Sequence, residues 1–193
     1  MSDTASTNDT ATGEASIVYF QSSQPAQTLI GTIKSLIMQP RGFFAGMPFA
    51  VFYANSLFFA TIVVLGLSFL SVPFYNLGML FMVPVIWGVI IIGMRLLAMY
   101  MHWAVPALAG GRLTTANAFQ LSAYASMPML FVGLSWFGIV AFLWSMYLLW
   151  VGLTSYCRIR TGGALAVIIL PLLMVAMVGG GFMFAFSRMT PSG

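Results

Sequence analysis

The chain alternates between one polar stretch and a succession of long apolar runs. Met1–Gly13 is mostly Ser, Thr, Asp, Asn and Ala without apolar periodicity. Such a segment cannot bury enough surface to offset its ordering entropy, so residues 1–27 read as a disordered polar tail. No basic stretch leads into an apolar core and a small-residue cleavage site, so the tail does not read as a signal peptide. Over residues 28–39 the pattern turns helical: Leu29, Ile30, Ile33, Leu36 and Ile37 share a face, with Gln27, Lys34 and Ser35 elsewhere. Pro40 stops that helix, leaving it shorter than the roughly 20 residues a span requires. It suits a position in the membrane interface, with Lys34 and Arg41 among lipid phosphates. Packing on the protein's own surface is the alternative.

The apolar runs that follow predict five spans, at about 48–70, 78–101, 116–134, 138–157 and 164–186, within a membrane domain of 43–187. Trp103 and Pro106 come after the second. Gly110-Gly111-Arg112-Leu113-Thr114-Thr115 is a polar hairpin in which Thr114 or Thr115 caps the next helix. Residues 116–157 are too long for one span, and Gly133 to Gly138, with Trp136 between, suits an interfacial turn. Arg158-Ile159-Arg160-Thr161-Gly162-Gly163 leads to the fifth span, which Pro171 would kink, and 188–193 forms a short tail. The predicted fold class is an all-α membrane bundle of five helices behind an interfacial helix. With the N-terminus cytoplasmic, Lys34, Arg41, Arg112, Arg158 and Arg160 fall inside and Arg188 outside, as the excess of basic residues in cytoplasmic loops requires. A bacterial inner membrane is the expected location.

Composition narrows the chemistry. Of 193 residues 61% are hydrophobic and 5% charged, against about 25% charged in soluble domains. The only acids are Asp3, Asp9 and Glu14, and there is one His and one Cys. Paired-carboxylate catalysis lacks its acids, zinc its ligands and bis-histidine haem its second histidine. Carboxylate-driven ion transport is excluded as well. No enzyme activity and no cofactor are expected, and nucleic acid is not an expected partner. The expected partners are the bilayer with its anionic headgroups, and other membrane chains or a second copy.

Few side chains are left to carry function. Arg95 lies inside the second apolar run, six residues before Met101. Its guanidinium either snorkels to the headgroups or holds a specific anionic lipid or solute. Arg112, Arg158 and Arg160, with Lys34 and Arg41, are further candidate lipid contacts. Asn117, Gln120 and Tyr124 share a helical face before Pro128. They form either interhelical glue or a polar vestibule. His102, beside Met99 and Met101, is an interfacial residue or a weak copper ligand. Cys157 is a small apolar residue or an acylation site. Ala176 and Gly180 form a small-xxx-small pair for close helix packing or dimerisation.

Several short motifs occur in a recognisable order. Phe43-Phe44 follows Pro40, and Gly110-Gly111 precedes a span with Tyr124-Ala125 and Pro128. Leu143-Trp144 and Gly152-Leu153 follow, and Gly162-Gly163-Ala164 opens the last span. Over about residues 28–187 this order resembles the Yip family of five-span membrane proteins. The resemblance implies a compact five-helix bundle with a cytosolic N-terminus. In eukaryotic members it implies links to Rab GTPases, early secretory traffic and membrane shaping. The long cytosolic region and the Asp-Leu-Tyr-Gly-Pro type motif of those members are missing, so the chain looks more like the short prokaryotic branch. Two functions fit: a non-enzymatic membrane organiser or accessory subunit, or a small transporter or lipid-handling protein using Arg95 and the Asn117, Gln120, Tyr124 face.

Overall fold

Proline positions and unbroken apolar runs set most of the element boundaries in the computed structural model, which describes residues 17–50, 53–71, 79–132 and 137–189. Among these residues the fold is all-helical. The helices are α1 (Pro25–Met38), α2 (Pro40–Ala45), α3 (Ala54–Ser71), α4 (Met79–Ala109), α5 (Thr115–Ala125), α6 (Phe137–Tyr156) and α7 (Thr161–Met189), with a 3₁₀ turn at Met127–Phe131. Pro25 and Pro40 each open a helix, where a missing N–H costs nothing. Gln39, at φ −140° and ψ 58°, breaks the chain between α1 and α2.

Four boundaries differ from the sequence pattern. Residues 17–22, counted with the polar tail, pack along α1 because Ile17-Val18-Tyr19-Phe20 is itself an apolar run. The Val18 amide donates to Ser35 Oγ and the Tyr19 hydroxyl to the Phe43 carbonyl, and burial raises the Tyr19 pKa above its ordinary value. The second span was expected to end near Met101, yet α4 continues through Trp103 and Pro106 to Ala109. Its last turns have a neighbour: a Cβ added to Gly163 of α7 would lie 2.7 Å from Ala109 Cβ. The third span, expected over 116–134, stops being α-helical at Ala125 and tightens to the 3₁₀ turn through Pro128. Pro128 has no N–H to continue the ladder. Finally, α7 begins at Thr161 and runs unbroken past Pro171. The interfacial turn expected at 133–136 lies outside the described residues.

Two helices, Phe81–Ala109 and Phe137–Tyr156, are long and apolar enough to cross a membrane, and Ala54–Leu70 and Thr161–Met174 are shorter apolar helices. At 31 residues, α4 is roughly 46 Å long, well beyond a hydrocarbon core of about 30 Å. One of its ends must therefore project.

The core centres on Tyr124, whose ring meets Phe43 at 5.1 Å and Phe59 at 5.0 Å, both edge-on. Phe20 closes on Phe59 at 5.5 Å. Gly152 lets α6 approach this cluster, since a Cβ there would fall 3.0 Å from Leu121 and 3.3 Å from Phe44. The predicted apolar face of α1 is split by this packing. Thr32 and Leu36 are buried, with Leu29 and Ile33 against the core, while Ile30 is 72% exposed and Ile37 and Met38 point outward. The helix thus docks on the protein and still presents an apolar outer side.

Candidate functional site

The polar side chains converge on one end of the bundle. Gly110 turns the chain after α4 with φ +68°, a left-handed conformation that glycine adopts without steric cost. Gly111 then lies against the α6–α7 loop: a Cβ there would fall 2.6 Å from Ile159 Cγ2 and 3.0 Å from Val105 Cγ1. Ile159 is buried, whereas Arg158 and Arg160 on either side of it are exposed, as is Arg112 next to Gly111. One buried isoleucine therefore pins a loop that turns two arginines outward beside a third. Arg158 is held at φ +51°, which costs a non-glycine residue roughly 1–2 kcal/mol.

A hydrogen-bonded layer lies beneath this basic end. His102 Nδ1 meets the Leu113 carbonyl, so α5 starts at the level of His102 and the last two turns of α4 project past it. Thr114 is the N-cap of α5, its hydroxyl accepting from the Asn117 amide at 3.2 Å. Asn117 Oδ1 accepts from the Ala50 amide at 2.7 Å, tying the segment before α3 to α5. The Tyr53 hydroxyl bonds Thr115 Oγ1 at 3.1 Å. Arg95 is exposed, with its guanidinium carbon 4.5 Å from the centre of the Tyr53 ring. Such a stack contributes about 0.5–1 kcal/mol at an exposed site.

The structure thus brings Arg112, Arg158 and Arg160 together, and it links Arg95 through Tyr53 to the layer below them. Lys34 and Arg41 are exposed on α1 and α2, away from this cluster. Asn117, Gln120 and Tyr124 are all buried. The Tyr124 hydroxyl faces the Gln120 side chain and the Phe20 backbone, while Gln120 Oε1 has no hydrogen-bond partner. Met99 is exposed and Met101 buried, so the two thioethers beside His102 diverge. Ala176 and Gly180 lie in α7, but their packing falls outside the described residues.

Tyr53, Thr115 and Ile159 were not among the sequence candidates. Tyr53 had one available signal: a cation in a body without carboxylates needs some other partner, and an aromatic face is the usual one.

Compared with known proteins, residues 34–183 match the family model of the Yip1 domain. The chain belongs to the Yip1 domain family. No curated protein and no solved structure matches it. The Yip1 domain here begins inside α1, at Lys34, and ends inside α7. It therefore contains the basic end, the polar layer and the aromatic core. Membership in this family, together with the apolar helices, makes the chain a multi-pass membrane protein.

Proposed function

We propose that this Yip1-domain protein is a non-enzymatic membrane organiser or accessory subunit, with five spans, a cytoplasmic N-terminus and an external C-terminus. Its cytoplasmic end grips anionic headgroups. The observation that carries this reading is the grouping of Arg112, Arg158 and Arg160 around buried Ile159, in a chain with no carboxylate side chain after Glu14. Lipid phosphate is the anion a membrane supplies in quantity there. Each basic residue near an anionic surface contributes about 1 kcal/mol, so three together favour anionic lipid by roughly a hundredfold.

The test is extraction of the native protein into lipid-preserving nanodiscs, followed by identification of its lipids and co-purifying chains. Enriched anionic lipid together with a partner chain or a second copy is expected. Replacing Arg112, Arg158 and Arg160 together by Gln should abolish the enrichment. A free monomer with bulk lipid composition would overturn the reading.

A transporter using Arg95 and the polar face of α5 remains the rival. Its one structural support is the unpartnered Gln120 Oε1; the burial of Asn117 and Tyr124 favours their role as interhelical glue. Arg95→Leu separates the two readings, since an organiser tolerates it and an anion pathway loses flux.

A further inference from the structure

A second lipid-facing feature lies away from the basic end, between the α1–α2 corner and the first half of α6. Ile37, Met127, Pro128, Phe131, Ala141 and Trp144 are among the residues enclosing a cleft of about 220 Å³. No charged or hydrogen-bonding side chain lines it, apart from the Trp144 ring nitrogen. For scale, an engineered apolar cavity of about 150 Å³ already holds benzene. A second groove of about 310 Å³, lined by Val140, Leu143, Trp144 and Tyr147, continues along α6. The two share Val140 and Trp144, so they form one track from Phe137 to Tyr147. Ten residues of helix are roughly 15 Å, half of a hydrocarbon core of about 30 Å. That is the depth of one leaflet.

The headgroup end is marked by charge. Ser22, just before α1, bonds Asn55 Oδ1 at the start of α3, so α1 begins near the basic end of the bundle and descends toward Ile37. Lys34 sits one turn back from Ile37 on the same side of the helix and is exposed. It has no possible carboxylate partner from residue 15 onward. A cation above an elongated, all-carbon track fits one ligand class.

We propose that this track seats one acyl chain of an anionic phospholipid, with its phosphate at Lys34 and its chain passing Ile37 to end against Phe131 and Phe137. The site is separate from the arginine cluster and holds a single resident lipid. Entry from the bilayer requires no opening of the bundle, because the track lies on its outer side.

The test is native mass spectrometry of the detergent-purified protein after exchange into micelles containing phosphatidylglycerol or phosphatidylcholine. One retained phosphatidylglycerol per chain is expected. Ala141→Leu, which narrows the cleft from the α6 side, should lower retention at least fivefold. Ile37→Trp does so from α1 without touching the core, should Ala141→Leu fail to fold. Ile139→Trp, on the same helix but outside both grooves, should leave retention unchanged. Lys34→Glu should remove the preference for phosphatidylglycerol over phosphatidylcholine. Equal retention in the wild type, both cleft variants and Ile139→Trp overturns the site. Retention that falls in the Arg112, Arg158, Arg160 variant but not in the cleft variants assigns the lipid to the basic end instead.

Discussion

Consecutive helices α5 and α6 are built from opposite materials. Asn117, Gln120, Ser122 and Tyr124 lie in α5, which is buried without a break from Asn117 to Ala125. In α6 the only residues with polar side-chain atoms between Phe137 and Leu149 are Trp144, Ser145 and Tyr147. Its buried stripe is Ala141, Ser145, Leu148, Leu149 and Gly152, and Ile139 on the other side is 75% exposed. In water the polar helix would lie outside. In a bilayer the apolar helix can face lipid at no cost, while each polar group must find a partner inside. The contrast between α5 and α6 is thus a statement about the solvent, and substitutions can test it.

The largest effect is expected at Tyr124, which is 1% exposed with Phe43 and Phe59 against its ring. Tyr124→Ala should cost about 3 kcal/mol, at the low end for aromatic deletions because lipid removes much of the transfer term. Leu143→Ala on the exposed side of α6 should stay within about 0.5 kcal/mol. Sodium dodecyl sulfate titration in mixed micelles measures both. A Leu143→Ala cost approaching that of Tyr124→Ala would mean that another chain covers α6.

The contact between the two helices should respond next. Gly152→Val puts methyl groups where even a Cβ would lie 3.0 Å from Leu121 and 3.3 Å from Phe44. Overpacking of this kind costs about 1–3 kcal/mol, and Leu121→Ala in the same chain should recover part of it. Gly138→Val, at the lipid-exposed start of α6, should cost far less. If the two glycine variants unfold together, close approach is not what Gly152 provides.

A smaller loss is expected at Asn117. Asn117→Ala leaves the Ala50 amide without its 2.7 Å acceptor, a penalty of about 1–2 kcal/mol for a buried donor. Hydrogen exchange should show the loss at Ala50 and in the first turn of α3. Asn117→Asp should retain the acceptor.

Much of this architecture is legible in the pattern, because apolar runs and their prolines are local signals. The all-helical class, the Thr114 cap, the glycine turn at Gly110 and the break at Pro128 follow from neighbouring residues alone. Long-range pairing is not local. That Arg95 meets Tyr53, 42 positions away, depends on how α4 sits beside the segment before α3, and no spacing rule records this. The same holds for Ile159 against Gly111. Hydropathy also misjudged residues 17–22, since Ile17 to Phe20 follow a long polar run and were averaged into it. The basic residues were found by counting charges, yet only the packing of Gly111 on Ile159 separates Arg112, Arg158 and Arg160 from Lys34 and Arg41.

The finest test uses the one polar residue on the buried stripe of α6. Ser145 is 5% exposed and its hydroxyl has no partner, whereas Ser122 in α5 donates to the Ala118 carbonyl at 2.9 Å. A buried hydroxyl without a partner carries a desolvation cost that a methyl group does not. Ser145→Ala should therefore be neutral or stabilising, by up to about 1 kcal/mol. Ser122→Ala should lose about 0.5 kcal/mol, the typical worth of a hydrogen bond inside a membrane. Opposite signs in one unfolding titration would support the division of labour between the two helices. A clear loss at Ser145 would instead mean that its hydroxyl holds a water or a ligand atom, and α6 would then carry a polar function of its own.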